Sequence, residues 1–108
     1  MQTYFAFVAS LLVAAPVLAS IDVTIYDGVS GQGDSKELQL NPSECRDLDT
    51  YHWGNRMASF SKPQNAKCRI YQLGHCQGSD TSFEDEQAFI CFLDDDFDNN
   101  VNSIECWN

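Results

Sequence analysis

The chain repeats itself, and the repeat restricts how it can fold more than any other feature does. VTIYDGVSGQGDS, starting at Val23, returns as CRIYQLGHCQGSD, starting at Cys68. In both copies a tyrosine is followed by six residues, a glycine, one residue, and then serine or aspartate. These are Tyr26, Gly33 and Ser35 in the first copy and Tyr71, Gly78 and Asp80 in the second. Further on, WGNRMASF (53–60) matches FDNNVNSI (97–104), and Leu48 matches Leu93. The copies run from about 21–60 and 68–106, with SKPQNAK (61–67) as linker. A unit this small cannot bury its own apolar face, so two copies are expected to pack against each other.

The unit reads as β-structure. In IDVTIY, Ile21, Val23 and Ile25 alternate with Asp22, Thr24 and Tyr26, the period of a half-buried strand. DGVSGQGDS is a turn, and ELQL alternates again. Each motif glycine suits positive φ in a folded-over hairpin. The serine or aspartate two residues later is placed to bond hairpin N–H groups, and the tyrosine to cover the fold. No segment has a sustained helical period; Asn41-Pro42-Ser43-Glu44 opens one helical turn at most. Trp53 with Phe97, and Phe60 with Ile104, occupy matched positions and read as core. Trp107 lies past the last matched residue and reads either as an exposed anchor or as a lid on a sheet edge.

Residues 1–20 carry no charged side chain, and an apolar run ends in Val17-Leu18-Ala19. This reads as a secretory signal peptide, 1–19, ahead of one small domain, 20–108. Pro16 and the lack of basic flanks speak against the rival reading, a membrane anchor. All five cysteines follow this segment, and in a secreted chain they are expected in disulfides, with one left over. The net charge of −10 makes nucleic acid a poor partner and gives no electrostatic reason to enter an anionic membrane. A monomer is expected.

Two copies of this pattern in register resemble the βγ-crystallin family. Its Greek-key motif carries an aromatic, six residues, glycine and a hydroxyl residue in the first hairpin, and an Asn/Asp-rich stretch ending in serine before the last strand. The resemblance implies an all-β sandwich of eight strands, two Greek-key motifs each lending its third strand to the other's sheet. IYQLGHCQG with Cys76, CRDL with Cys45, and the terminal Cys106 look like secreted, disulfide-rich members: killer-toxin-like proteins of microbes and antimicrobial proteins of plant seeds. The resemblance implies a Cys45–Cys76 bridge. It makes Cys68–Cys106 feasible too, since both residues share the parity of inward positions; Cys45–Cys106 stays open as a rival. Cys91, within FICFL, is then expected as a buried free thiol.

Calcium-binding members build sites from both Asn/Asp-rich stretches. Here Gly54 and Ala58 replace a leading acid or amide and a hydroxyl. The second stretch keeps Asp98 and Asn99 and has Asn102 at the hydroxyl position. Two readings are open: structural turns without metal, or one weak calcium site from Asn55, Asp98, Asn99 and Asn102. His52 and His75 sit at unmatched positions without a nucleophile motif, so binding rather than catalysis is expected. The resemblance implies a killer-toxin-like, antimicrobial or effector-like role, with a cell-surface receptor or wall component of another organism as partner. The alternative is an extracellular structural module with the weak calcium site.

Overall fold

Alternation along the first strand decides which way the sheet faces. In β1 (Ile21–Tyr26), Ile21, Val23 and Ile25 are buried and Asp22 is exposed. The computed structural model describes residues 20–108, so the leader expected at 1–19 lies outside the described residues. The other strands are β2 (Ser35–Leu40), β3 (Arg46–Asp47), β4 (Ser59–Ser61), β5 (Lys67–Leu73), β6 (Gln77–Phe83), β7 (Phe89–Ile90) and β8 (Ser103–Trp107). They form two antiparallel four-stranded sheets, ordered β2-β1-β4-β7 and β3-β8-β5-β6. Each repeat therefore keeps three strands in one sheet and lends its third, β3 or β7, to the other, the topology that the resemblance implies.

The core lies between the sheets. Ile25, Leu40, Leu48, Met57, Phe60, Ile70, Val101 and Ile104 are fully buried. Each buried side chain of this size contributes roughly 1.5–3 kcal/mol relative to exposure. Phe60 meets Phe83 edge to face, with ring centroids 5.1 Å apart. Trp53 and Phe97 are also buried. Cys68 and Cys106 face one another across β5 and β8, and their disulfide sits in this core. A second disulfide, Cys45–Cys76, ties the approach to β3 to the β5–β6 hairpin.

Several local expectations are corrected. Asn41–Glu44 is a reverse turn, not a helical one: the Glu44 N–H donates to Asn41 O, and Ser43 takes φ 63°. Pro42 presets the first turn angle, and the positive φ follows at the next position, as in a type II turn. The Glu44 carboxylate reaches back to accept the Asn41 N–H at 3.0 Å. Trp107 is inside β8, opposite Lys67, half-buried, with the Arg69 guanidinium 5.8 Å from its ring. Cys91 is free but exposed, not buried. Ile90 turns into the core from the edge strand β7, and the next residue, Cys91, is left outside. Its apolar neighbours in the sequence belong to both surfaces.

The linker is held by a buried cation. Lys62 is only 4% exposed, and its Nζ donates to Ala66 O at 2.8 Å and Asp85 O at 3.0 Å. Hydrogen bonds to two carbonyls offset the cost of burying the ammonium.

Candidate functional site

The two Asn/Asp-rich stretches cross at the centre of one end of the sandwich, and the crossing has two-fold pseudosymmetry. The Asn55 N–H donates to Val101 O and the Asn99 N–H to Met57 O, both pairs being equivalent under the repeat. The Ala58 N–H donates to Tyr26 O, and the Asn102 N–H to Tyr71 O. Ser59 and Ser103, both fully buried, clamp the folded-over hairpins. Ser59 Oγ donates to Gly28 O (2.6 Å) and accepts from the Gly31 N–H (3.0 Å). Ser103 Oγ does the same with Leu73 O (2.6 Å) and the Cys76 N–H (2.9 Å).

Sequence reasoning assigned the clamp to Ser35 and Asp80. These residues instead stand in the strand ladders, opposite Tyr26 and Tyr71. The readable signal was the shared serine that closes each matched stretch, at 59 and 103. Gly33 and Gly78 take φ of 80° and 82°. A Cβ at Gly33 would also strike the Asp27 carboxylate, which accepts the Asp34 N–H at 2.8 Å. Tyr26 covers its hairpin, edge-on to Phe89. Tyr71 bonds Glu105, and burial together with that bond pushes its phenol above the ordinary value.

Of the four residues considered for calcium, the structure joins two. Asn102 Nδ2 donates to Asn55 Oδ1 at 2.8 Å and to Gln72 O at 2.7 Å. Asn99 lies on the other side of the crossing and donates to Arg56 O at 2.8 Å. Asp98 is exposed, and its N–H caps Asp94 O. A calcium ion needs six to eight oxygens converging on it. Here an amide NH2 fills the space between Asn55 Oδ1 and Gln72 O, and the four side chains do not gather round one point. Gly54 has a packing reason: a Cβ there would collide with Asp49 Oδ1 and Asn102 Oδ1, so this place has no room for an acid. Among the described residues, no group of three or more His, Cys, Asp or Glu is placed to hold a metal.

Position 56 of the first repeat, matched to Asn100 in the second, carries a charge. The Arg56 guanidinium donates to Asp27 Oδ2 (2.9 Å), Asp34 Oδ2 (3.2 Å) and His52 O (3.3 Å). Its Cζ lies 4.1 Å from the centre of the Trp53 ring. The hydrogen bond from Arg56 holds the Asp27 carboxyl below its ordinary value of 3.8. In the second repeat the counterparts are neutral: Asn100 Nδ2 and Gln72 Nε2 both donate to Asp96 O. His75, 83% exposed, donates its N–H to Asp47 Oδ1, and its ring nitrogen lies 3.3 Å from Asp47 Oδ2.

The surface has another unusual place. Phe92 is 68% exposed, beside Cys91. It borders a small depression of about 60 Å3 with Thr81, Phe83, Leu93, Asp94 and Phe97. Exposed Glu84, Asp85, Glu86, Asp94, Asp95 and Asp96 lie on the loops either side of it in sequence, and the segment 84–96 has no basic residue. The apolar run FICFL hid Phe92, because strand spacing is lost beyond Ile90. A broader groove of about 270 Å3 runs over β1 and β2, with Asp22, Thr24, Glu37 and Gln39 along it.

Known folds match this geometry. A βγ-crystallin domain from Clostridium beijerinckii superposes with TM-score 0.65 at 18% identity, covering 80% of this chain and 97% of that one. A βγ-crystallin from Ciona intestinalis gives 0.64 at 11%, covering 78% and 96%. The N-terminal domain of protein S gives 0.63 at 24%, covering 79% and 93%. The chain thus has the βγ-crystallin domain fold. No family model and no curated protein match it.

Proposed function

We propose that the chain is a secreted, non-enzymatic binding protein of killer-toxin-like, antimicrobial or effector-like character, acting on the surface of another organism through its Phe92 loop. The observation that carries this reading is Phe92 itself: a large aromatic, 68% exposed, on a domain whose other aromatics are mostly packed away. Aromatic side chains dominate the energetics of protein interfaces, and contact sites are apolar patches rimmed by polar residues, as Phe92 is with the depression beside it. The carboxylates flanking Phe92 in sequence suit a partner with a basic rim, and they repel anionic lipid. The uncharged leader at 1–19 and the two disulfides support export to an oxidising environment.

The test uses oxidised protein and its Phe92→Ser variant. Because Phe92 points outward, the variant is expected to unfold at the same temperature as the parent. Wild type is expected to bind intact fungal or bacterial cells or to inhibit their growth, and the variant to lose at least tenfold in potency. Equal activity of the two proteins would overturn the role of Phe92; inactivity of both across the panel would favour the alternative. That alternative is an extracellular structural module, and the double stapling of a pseudosymmetric sandwich supports it. It requires nothing of Phe92.

A further inference from the structure

The four sheet edges are guarded unequally. β3 and β7 are two residues long, and β2 carries Lys36 and Glu37. Short length and lysine are ordinary defences against a strand from another chain. β6 has neither: it runs seven residues, QGSDTSF, with Asp80 as its one charge. The Tyr71 carbonyl accepts from the Asn102 N–H, on the β8 side of β5. Backbone groups alternate along a strand, so those of Cys68 and Ile70 point to β6 and meet Phe83 and Thr81. The 4.1 Å between the Cα atoms of Cys68 and Cys106 agrees, since the closer pairs of an antiparallel ladder are those without hydrogen bonds. The N–H and C=O groups of Asp80 and Ser82 therefore point out of the sheet, and among the described residues no strand pairs with that edge.

The same edge borders the Phe92 depression, with Thr81 and Phe83 of β6 facing Phe92, Leu93 and Asp94 across it. Phe92 is turned out by an extra residue. Arg46 and Ile90 hold equivalent places, opposite the matched Ile104 and Phe60. Leu48 follows Arg46 by two residues and Leu93 follows Ile90 by three, yet both leucines are buried. We propose that the free edge of β6 binds an extended segment of a partner protein by strand addition, with an aliphatic side chain in the depression and Lys or Arg beside Glu84–Glu86. The inference rests on the reading that Phe92 meets a partner, and it names that partner's chemistry. Main-chain hydrogen bonds to Asp80 and Ser82 supply affinity, and the depression, about 60 Å3, selects a side chain. Partner residues opposite Thr81 and Phe83 share their face and so look into it. An antiparallel segment enters at the Phe83 end, so its basic residues precede its apolar ones. The segment 84–96 offers six carboxylates and no basic residue, which complements such a partner and repels a second copy of this chain.

The probe is the synthetic peptide Lys-Lys-Val-Thr-Val-Thr-Val, whose valines would face the depression and whose threonines would stand opposite Asp80 and Ser82. One control replaces its lysines by glutamates. Another N-methylates its threonines, which removes the pairing N–H groups and keeps charge and side chains. Exchange of single amides in the oxidised, isotope-labelled protein is followed by NMR. In the free protein the Asp80 and Ser82 amides are expected to exchange fast and those of Thr81 and Phe83 slowly. The lysine peptide at saturation is expected to slow Asp80 and Ser82 by roughly tenfold or more, and neither control is expected to do so. Phe92→Ser is expected to weaken the effect; undiminished affinity there would strike the depression as the anchor site. The proposal is overturned if millimolar lysine peptide leaves both amides unchanged, or if the N-methylated peptide protects them equally, charge alone then holding it. Protection that rises with protein concentration in the free state would overturn it in favour of a second copy. Phe92-dependent action on cells without any peptide effect would strike the edge and leave the Phe92 reading standing. A peptide effect without Phe92-dependent action on cells would do the reverse.

Discussion

Single side chains carry much of the cohesion at the loop crossing. Ser59 and Ser103 each satisfy one carbonyl and one N–H in fully buried surroundings. Ser59→Ala leaves those groups without a partner and is expected to cost about 1–3 kcal/mol, as is Ser103→Ala, read from urea unfolding. An unchanged midpoint in both would mean that the clamps contribute nothing. Cys91 makes a chemical prediction. Being exposed and unbridged, it is expected to react with a thiol reagent in the native state, at one thiol per chain, while the bridged cysteines stay silent. Acid sensitivity belongs at this scale too. Arg56 lowers the Asp27 pKa from 3.8; the Asn41 N–H, and then Arg46, lower that of Glu44 from 4.5. A carboxylate with a depressed folded pKa stabilises fully above its unfolded pKa and loses that contribution as pH falls through the folded one. The melting temperature is therefore expected to decline as pH drops below about 4.5. Asp27→Asn is expected to be less stable at pH 7 and to show a shallower decline.

At the scale of elements, strand parity explains what the sequence revealed and what it hid. Matching Cys68 to Val23 placed its side chain inward, and it lies in the core opposite Cys106. The same reasoning would have turned Cys91 outward had Ile90 been taken as the inward residue of a two-residue edge strand. FICFL looked buried because hydrophobicity was read without a register. Asn41–Glu44 was ambiguous for a related reason: asparagine followed by proline opens a helical turn and a reverse turn alike, the Glu44 carboxylate bonding back to Asn41 is compatible with both, and the positive φ of Ser43 distinguishes the latter. The cluster of Arg56 with Asp27 and Asp34 was not legible at all, since its members come from two separated loops. The disulfides act at this scale as well. Cys68–Cys106 spans 38 positions, and a closed loop of that size stabilises by roughly 2–4 kcal/mol. Replacing both cysteines by alanine is expected to remove a comparable amount, read from chemical unfolding under matched conditions. No loss would show that the packing of β5 on β8 alone sets their association.

For the whole molecule, the exchange of third strands means that neither repeat is a folding unit by itself. The internal repeat made this legible, since two matched units of some forty residues needed a shared core. Residues 20–62 or 63–108 alone lack one strand of their own sheet and the opposing apolar face, so each is expected to be unfolded in isolation. The pair mixed together is expected to recover strand content by circular dichroism; a stable isolated half would contradict the shared core. The same sandwich places the loop crossing at one end, and there the chain supplies its own donors and charge: two serines, Asn102 and Arg56. Cohesion at that end is therefore expected to hold without a bound ion. The most direct test is thermal unfolding of the oxidised wild-type protein in millimolar calcium and in chelator. Superimposable curves are expected. A ligand at about 100 times its dissociation constant adds roughly 2.7 kcal/mol, or roughly 10 °C or more in a domain of this size. A calcium-specific rise of that order, absent with magnesium, would contradict the account and return the Asn102 loop to the role of a metal site.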